Sequence, residues 1–301
     1  MDNELLLFDR LEVIKTTIQT YGEENFYISF SGGKDSTVVH HLVDMALPNN
    51  KIPRVFVNTG IEYNEIVKFV RSMAEKDERF VLIKPSKPIK ETLEKYGYPF
   101  KSKEHSKKVH EYHSTKNSTA YLNRYLTGVN KDGTKTQFKC PDVLLYQFTD
   151  ELKLNISHLC CNKLKKEPAK KWSKETNRPS CITGMRAAEG GARIQLTCIL
   201  ADKKGKIRHF NPLLKVNDEW EEWFIQEHNI KLCSLYYEPY NFVRTGCKGC
   251  PFSLNLQNDL ETMERYFPTE RKQCEIIWKP VYDEYRRLGY RLKKDEQLKL
   301  F

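Results

Sequence analysis

Two groups of residues in this 301-residue chain combine types and spacings that can do chemistry. The first is Ser31-Gly32-Gly33-Lys34-Asp35-Ser36-Thr37, which follows the apolar run Tyr27-Ile28-Ser29-Phe30. Gly32 and Gly33 permit positive φ and let successive backbone N–H groups converge on an anion with no Cβ in the way. Ser31, Ser36 and Thr37 add hydroxyl donors, Lys34 adds a cation, and Asp35 in a first helical turn suits the helix dipole or a magnesium ion. A helix that starts at this point aims its N-terminus at the phosphates. The G-x-x-x-x-G-K-[ST] spacing of a Walker A loop is absent. The second group is Cys160-Cys161 with Cys247-Lys248-Gly249-Cys250, two tight pairs that can close a four-ligand metal site. Adjacent cysteines are awkward ligands for tetrahedral zinc but can each ligate a different iron of a cubane. That favours a four-iron four-sulfur cluster and leaves Zn2+ as the alternative metal.

The elements that must position these residues follow from periodicity. Apolar residues at helical spacing (Leu6, Leu7, Leu11, Val13, Ile14, Ile18) predict a helix that Gly22 stops. After the glycine loop a helix over 38–45 ends near Pro48; residues 54–60 read as a strand entering a turn, 66–73 as a helix and 80–83 as a third strand. Strands alternating with helices imply βαβ units, hence an α/β fold with a parallel sheet and helices on both faces. Ligands of such sheets sit at the strand C-termini, where both 31–37 and 58–60 fall. Residues 97–139 lose the pattern and read as a mobile basic insertion; within 101–139 nine basic side chains, among them Lys108 and Lys116, face three acidic ones. His105, His110 and His113 in that stretch read as solvated. Further along, residues 143–152 predict a helix, 181–184 a strand, and 197–200 with 207–210 a hairpin. Residues 219–228 predict an amphipathic helix with Trp220, Trp223 and Phe224 on one side, and 260–292 two helices broken near Phe267-Pro268.

Composition bounds the answer. A hydrophobic content of 39% supports a substantial core, and no apolar run approaches the ~20 residues of a membrane span. The first residues lack the basic segment of a signal peptide, so the expected location is cytoplasmic. A net charge of +10 suits anionic ligands, and nine cysteines without a secretion signal point to metal or reactive-thiol chemistry before disulfides.

With these residues in view, the Ser-Gly-Gly-x-Asp-Ser stretch resembles the signature of the PP-loop ATP pyrophosphatases, which split ATP between the α and β phosphates. The Cys-Cys pair followed 86 positions after Cys161 by C-x-x-C resembles the iron–sulfur form of the adenylylsulfate and phosphoadenylylsulfate (PAPS) reductase family. Lys165 and Pro168 sit where a Lys and a Pro follow that pair, and Thr183-Gly184-Met185-Arg186-Ala187-Ala188-Glu189 with Arg193 resembles the family's phosphate-binding segment. Phe56-Val57-Asn58-Thr59-Gly60-Ile61-Glu62 resembles its nucleotide-binding strand end, with Asn58 in place of Asp. Asn211-Pro212-Leu213, Leu235-Tyr236 and Gly246-Cys247 continue the likeness to about residue 252. It implies an adenine nucleotide alpha-hydrolase-like fold, with Lys34, Asp35 and Arg186 catalytic. Ser31, Gly32, Gly33, Ser36, Thr37, Asn58, Thr59, Gly60, Lys165 and Arg193 would hold the nucleotide, and Cys160, Cys161, Cys247 and Cys250 the cluster. Two arginines seven apart around Gly190-Gly191 also make a reasonable fork for phosphate or sulfate oxygens.

Two departures shape the functional expectation. The thioredoxin-dependent reductases end in a Glu-Cys-Gly-[Leu/Ile]-His tail, whereas this sequence has no cysteine after Cys274, and its loop is an intact ATP type. The expected activity is binding of ATP with Mg2+ and adenylation of an acceptor for sulfur transfer, similar to the PP-loop proteins of DNA phosphorothioation and tRNA thiolation. Cys140 and Cys181 are candidate sulfur carriers, and the partners would be a nucleic-acid acceptor or a sulfur-donor protein. The alternatives are a true sulfonucleotide reductase releasing sulfite, and a nucleotide- or nucleic-acid-binding module with a structural cluster. The expected organisation is 1–96 as the first half of the nucleotide-binding domain and 97–139 as the insertion. Residues 140–255 would form the second half with the cluster ligands, and 256–301 a helical extension.

Overall fold

The computed structural model describes residues 2–115 and 120–294; Lys116 of the basic segment and the terminal stretch 295–301 lie outside the described residues. The elements in chain order are α1 (Asn3–Tyr21), β1 (Phe26–Ser29), α2 (Lys34–Ala46), β2 (Arg54–Val57), α3 (Asn64–Ala74), β3 (Phe80–Ile83), α4 (Ile89–Tyr96), α5 (Lys103–Thr115), α6 (Ala120–Thr127), α7 (Glu167–Glu175), β4 (Ser180–Ile182), β5 (Ile199–Ala201), β6 (Ile207–Phe210), α8 (Asp218–Glu227), α9 (Leu256–Tyr266) and α10 (Pro268–Leu288). They divide between two compact units, one formed by Met1–Ser86 with Lys165–Gly246 and the other by the described parts of Lys87–Leu164 with Cys247–Phe301.

All six strands belong to the first unit, in the order β3-β2-β1-β4-β6-β5. Every pairing is parallel except β5 against β6, the expected hairpin. Alternation along β1 sorts the two layers. Phe26 and Ile28 face a core with Ile14 and Ile18 of α1, Leu42 and Val43 of α2, and Trp220 and Phe224 of α8. Tyr27 turns to the other face with Val55 and Cys181, where its ring meets Trp172 of α7 at 5.5 Å. Each fully buried Leu, Ile or Phe adds about 1.5–3 kcal/mol, so these layers hold the strand ends in register. Local signals set the helix ends. Asp2 accepts from the Glu4 N–H at 3.0 Å to cap α1, Gly22 stops it at φ +82, and Asn217 accepts from the Trp220 N–H at 2.9 Å to cap α8.

Arg54 of β2 has no exposed surface, and its charge is satisfied by Asp44 at 2.5 Å and Asn50 Oδ1 at 2.9 Å. Its Nε donates to His40 Nδ1 at 3.0 Å, which requires a lone pair there. His40 is therefore neutral, although Asp44 lies 3.6 Å away. Burial first, then Arg54, pushes it down to about 3.

The second unit departs from the expected loop. Residues 97–139 contain α5 and α6, and His105, expected to be solvated, is fully buried between Tyr125 OH at 2.8 Å and Gln147 Oε1 at 2.7 Å. A polar helix with a few buried polar residues gives little apolar periodicity, which is why the pattern was silent. The helix expected at 143–152 is a 3₁₀ segment, Asp142–Phe148.

Candidate functional site

The glycine loop leaves β1 and enters α2 with Gly32 at φ +72. A Cβ on Gly32 would stand 2.9 Å from Ile66 Cγ2, so both conformation and space demand glycine. The loop is braced from inside. Ser36 Oγ donates to Gly33 O at 2.9 Å and pairs with Ser31 Oγ at 3.0 Å, while Thr37 Oγ1 donates to Gly33 O at 3.0 Å. Tyr236 OH accepts the Lys34 N–H at 3.0 Å and pairs with Thr245 Oγ1 at 2.8 Å, so a phenol occupies one of the first free N–H groups of α2. Gly184 lets the loop after β4 approach closely: a Cβ on it would lie 2.9 Å from the Asp35 backbone carbonyl carbon.

That approach brings Arg186 onto the loop. Its guanidinium meets Asp35 at 2.7 Å, Asp218 at 2.6 Å and Glu221 at 3.2 Å, and Lys34 Nζ meets the same Glu221 Oε2 at 3.1 Å. Burial disfavours the charged guanidinium, but Glu221, Asp218 and Asp35 together hold its pKa above the ordinary arginine value. Glu221 has no exposed side-chain surface, and its Oε2 meets both cations at ion-pair distance without the alignment of a hydrogen bond. Its burial, then the neighbouring Asp35, raises its pKa to about 7 against the pull of Arg186 and Lys34.

On the neighbouring strand end, Asn58 Oδ1 accepts the Gly60 N–H at 3.1 Å, and the buried Glu62 accepts from the Thr59 N–H at 2.9 Å and the Thr59 hydroxyl at 2.8 Å. Lys165 reaches the same Glu62 at 3.3 Å. Arg193 pairs with Glu189 at 3.1 Å, which also holds Arg244 at 2.7 Å, while the Arg186 guanidinium is engaged by Asp35, Asp218 and Glu221. The expected residues Ser31, Gly32, Gly33, Lys34, Asp35, Ser36, Thr37 and Arg186 therefore form one group, and Asn58, Thr59, Gly60 and Lys165 a second. Glu221, which the sequence reading did not single out, and Tyr236, noted there only as part of the family likeness, complete the first group. Glu221 could have been found as an acid three positions before Phe224 on the apolar face of α8.

The second unit holds Cys160, Cys161, Cys247 and Cys250, none of them in a disulfide. Among the described residues no three His, Cys, Asp or Glu side chains converge as a metal-holding group, so the fit to a cluster rests on donor chemistry: four cysteine sulfurs outside any disulfide in one unit. The C-x-x-C turn is held firmly by α10. Trp278 Nε1 donates to Lys248 O at 3.2 Å, Tyr282 OH to Gly249 O at 2.5 Å and Tyr285 OH to Pro251 O at 2.9 Å. Lys248 Nζ is buried against Glu270 Oε2 at 3.0 Å and Gln273 Oε1 at 2.9 Å. The candidate carriers are poor nucleophiles. Burial pushes Cys181 up to about 11 and also raises Cys140, so both stay protonated at neutral pH.

The phosphoadenosine phosphosulfate reductase domain matches residues 25–253. An uncharacterized protein of Methanocaldococcus jannaschii is 25% identical over 283 residues, covering 91% of this chain and 53% of that relative, so the chain spans about half its length. Adenosine 5'-phosphosulfate reductase 2 of Bacillus subtilis is 22% identical over 272 residues, covering 89% of each. A crystal structure of PAPS reductase from Candida auris in a phosphate complex aligns with 75% of this chain and 82% of its own at 17% identity, with a TM-score of 0.44, a likeness too slight to bear on the chemistry. No helix among the described residues is long and apolar enough to cross a membrane.

Proposed function

The chain belongs to the phosphoadenosine phosphosulfate reductase domain family, and on that premise we propose that it binds ATP at the glycine loop and adenylates an acceptor for sulfur transfer. The observation that carries the reading is the convergence of Lys34 and Arg186 on one buried carboxylate beside the loop, since two cations held at a helix N-terminus suit a polyphosphate. Magnesium enters with the ATP as its counter-ion. Lys34 and Arg186 neutralise charge as pyrophosphate leaves, Tyr236 OH yields the Lys34 N–H to a phosphate oxygen, and Asp35 orients Arg186 through its 2.7 Å contact.

A second reading, reduction of a sulfonucleotide with release of sulfite, is favoured by the likeness to the Bacillus subtilis reductase over 89% of both chains. Against it, the cysteines of the nucleotide-binding unit, Cys181, Cys198 and Cys233, all have pKa values raised by burial, so no thiolate among them is poised to attack sulfate sulfur. We assign Cys160, Cys161, Cys247 and Cys250 to a four-iron four-sulfur cluster on donor chemistry alone, with Zn2+ as the alternative. Such a cluster would supply a binding point for sulfur or local positive charge, and no step above passes through it.

The test offers ATP and adenylylsulfate separately to anaerobically purified protein, beside an Arg186→Gln variant, and measures nucleotide binding, pyrophosphate and sulfite. ATP binding weakened at least tenfold in the variant, with pyrophosphate but no sulfite, supports the adenylating reading. Sulfite from adenylylsulfate replaces it with the second. Iron and acid-labile sulfide content, lost together in Cys247→Ser, tests the cluster separately.

A further inference from the structure

Glu221 is fully buried, yet neither of its oxygens has a hydrogen-bond partner. The charged groups facing it are Lys34 and Asp35 from α2 and Arg186 from the loop after β4; Asp218 of its own helix shares Arg186 at 2.6 Å. A carboxylate in that position is tolerable only while both cations stay close, because a buried charge left alone is strongly unfavourable. A polyphosphate at the glycine loop competes for the same two cations, and its own negative charge repels Glu221.

We propose that Glu221 is a positioning residue which releases Lys34 and Arg186 to the phosphates of a bound nucleotide and takes a proton from solvent in their place, so that nucleotide binding is coupled to uptake of a proton. One O–H bond forms at the Glu221 carboxylate, the buffer supplies the proton, and no other bond changes. The inference rests on the reading that the loop binds phosphate. Its sign is fixed by direction: burial and Asp35 already bring Glu221 to about 7, and bound phosphate raises it further. A group whose pKa rises on binding makes affinity fall as pH climbs from the free value to the bound value, by at most about tenfold per pH unit.

The experiment is calorimetric titration of a non-hydrolysable ATP analogue into the full chain, in buffers of different ionisation enthalpy, above about pH 7, with wild type beside Glu221→Gln. The analogue's own titration is common to both proteins and cancels in the difference. Wild type is expected to take up more protons per bound analogue than Glu221→Gln, and the variant's affinity is expected to lose most of its fall with pH. A merely structural glutamate would alter stability or affinity but leave the proton count unchanged. Equal proton uptake with binding intact overturns this inference and leaves the loop an anion site, whereas no binding by wild type overturns both. If Glu221→Gln does not fold, wild type decides alone: affinity that stays flat with rising pH, once corrected for the analogue, overturns the coupling, and a fall supports it.

Discussion

Replacing Glu270 with alanine is expected to destabilise the unit that carries the C-x-x-C turn by about 3–4 kcal/mol. The ammonium of Lys248 and the carboxylate of Glu270 lie 3.0 Å apart with only 2% and 4% of their side chains exposed. Removing one partner of a buried pair leaves the other charge uncompensated, which costs about 3–5 kcal/mol. Gln273 Oε1, 2.9 Å from the same nitrogen, remains as a partial partner and pulls the estimate toward the lower end. An internal control is Asp283→Ala. It breaks the Lys279–Asp283 pair, shorter at 2.7 Å but with 68% and 52% of the side chains exposed, and should change stability by less than about 0.5 kcal/mol. Burial, not distance, separates the two.

Urea unfolding followed by circular dichroism, with hydrogen exchange of the peptide spanning Cys247 to Ser253 as a local readout, tests this. With a slope of about 1–3 kcal/mol per molar urea, the Glu270→Ala midpoint should fall by roughly 1–4 M while the control barely moves. A loss below about 1 kcal/mol, or one equal to the control, refutes the argument that this pair is desolvated. Replacing both partners by Lys248→Met and Glu270→Leu should recover most of the loss, since an apolar pair of similar volume leaves no charge stranded.

Gly184→Ala, whose new methyl carbon would stand 2.9 Å from the Asp35 backbone, should cost about 1–3 kcal/mol in thermal or urea unfolding and weaken ATP binding by dislodging Arg186. Tyr236→Phe removes the acceptor of the Lys34 N–H and should destabilise the free chain by about 1 kcal/mol; that deficit should shrink at saturating ATP, as differential scanning calorimetry with and without nucleotide would reveal. His40 has a folded pKa depressed to about 3, so its contribution to stability is fully present above the unfolded value of about 6.5 and is lost as pH falls toward 3. Urea midpoints should therefore decline steadily through that acid window, and His40→Gln should flatten the decline.

The sheet was legible because its signals are local. Each of Phe26–Ser29, Arg54–Val57 and Phe80–Ile83 is a short apolar run ending in polar or glycine residues, and a parallel βαβ reading needs little else. The glycine loop was legible for the same reason, its residues 31–37 being contiguous. What periodicity could not give is which charges meet. Arg186 and Glu221 lie about 150 or more positions after the loop, and the approach of Arg186 depends on the close packing that Gly184 permits. Nor does the spacing of Arg186 and Arg193 say which carboxylates arrive from elsewhere: Glu189 pairs with Arg193 while Glu221, Asp218 and Asp35 pair with Arg186. Helix α5 was missed because its buried side includes His105, Ser106 and Lys108, which no hydropathy pattern marks as core.

Lys108 bears directly on where an anionic partner would bind. It is 5% exposed, pairs with Glu104 at 2.6 Å, and sits 4.2 Å from the ring centroids of both Tyr121 and Tyr125. Lys101 likewise lies over Tyr125 at 5.9 Å, Lys107 pairs with Glu111 at 3.6 Å, and Lys139 with Asp142 at 2.7 Å. The charge surplus of 101–139 is thus partly used in packing a polar helix and partly offset by neighbouring acids, which lowers the potential it presents to a nucleic-acid backbone. By contrast α7 exposes Lys170, Lys171 and Lys174 around a cleft of about 430 Å³ with Glu167 and Glu175. Its lysines are exposed, and Lys171 is opposed by Glu175 of the same helix at 3.8 Å. A count of basic residues along the chain measures composition; the field that an anion meets depends on which of those charges the fold leaves facing solvent.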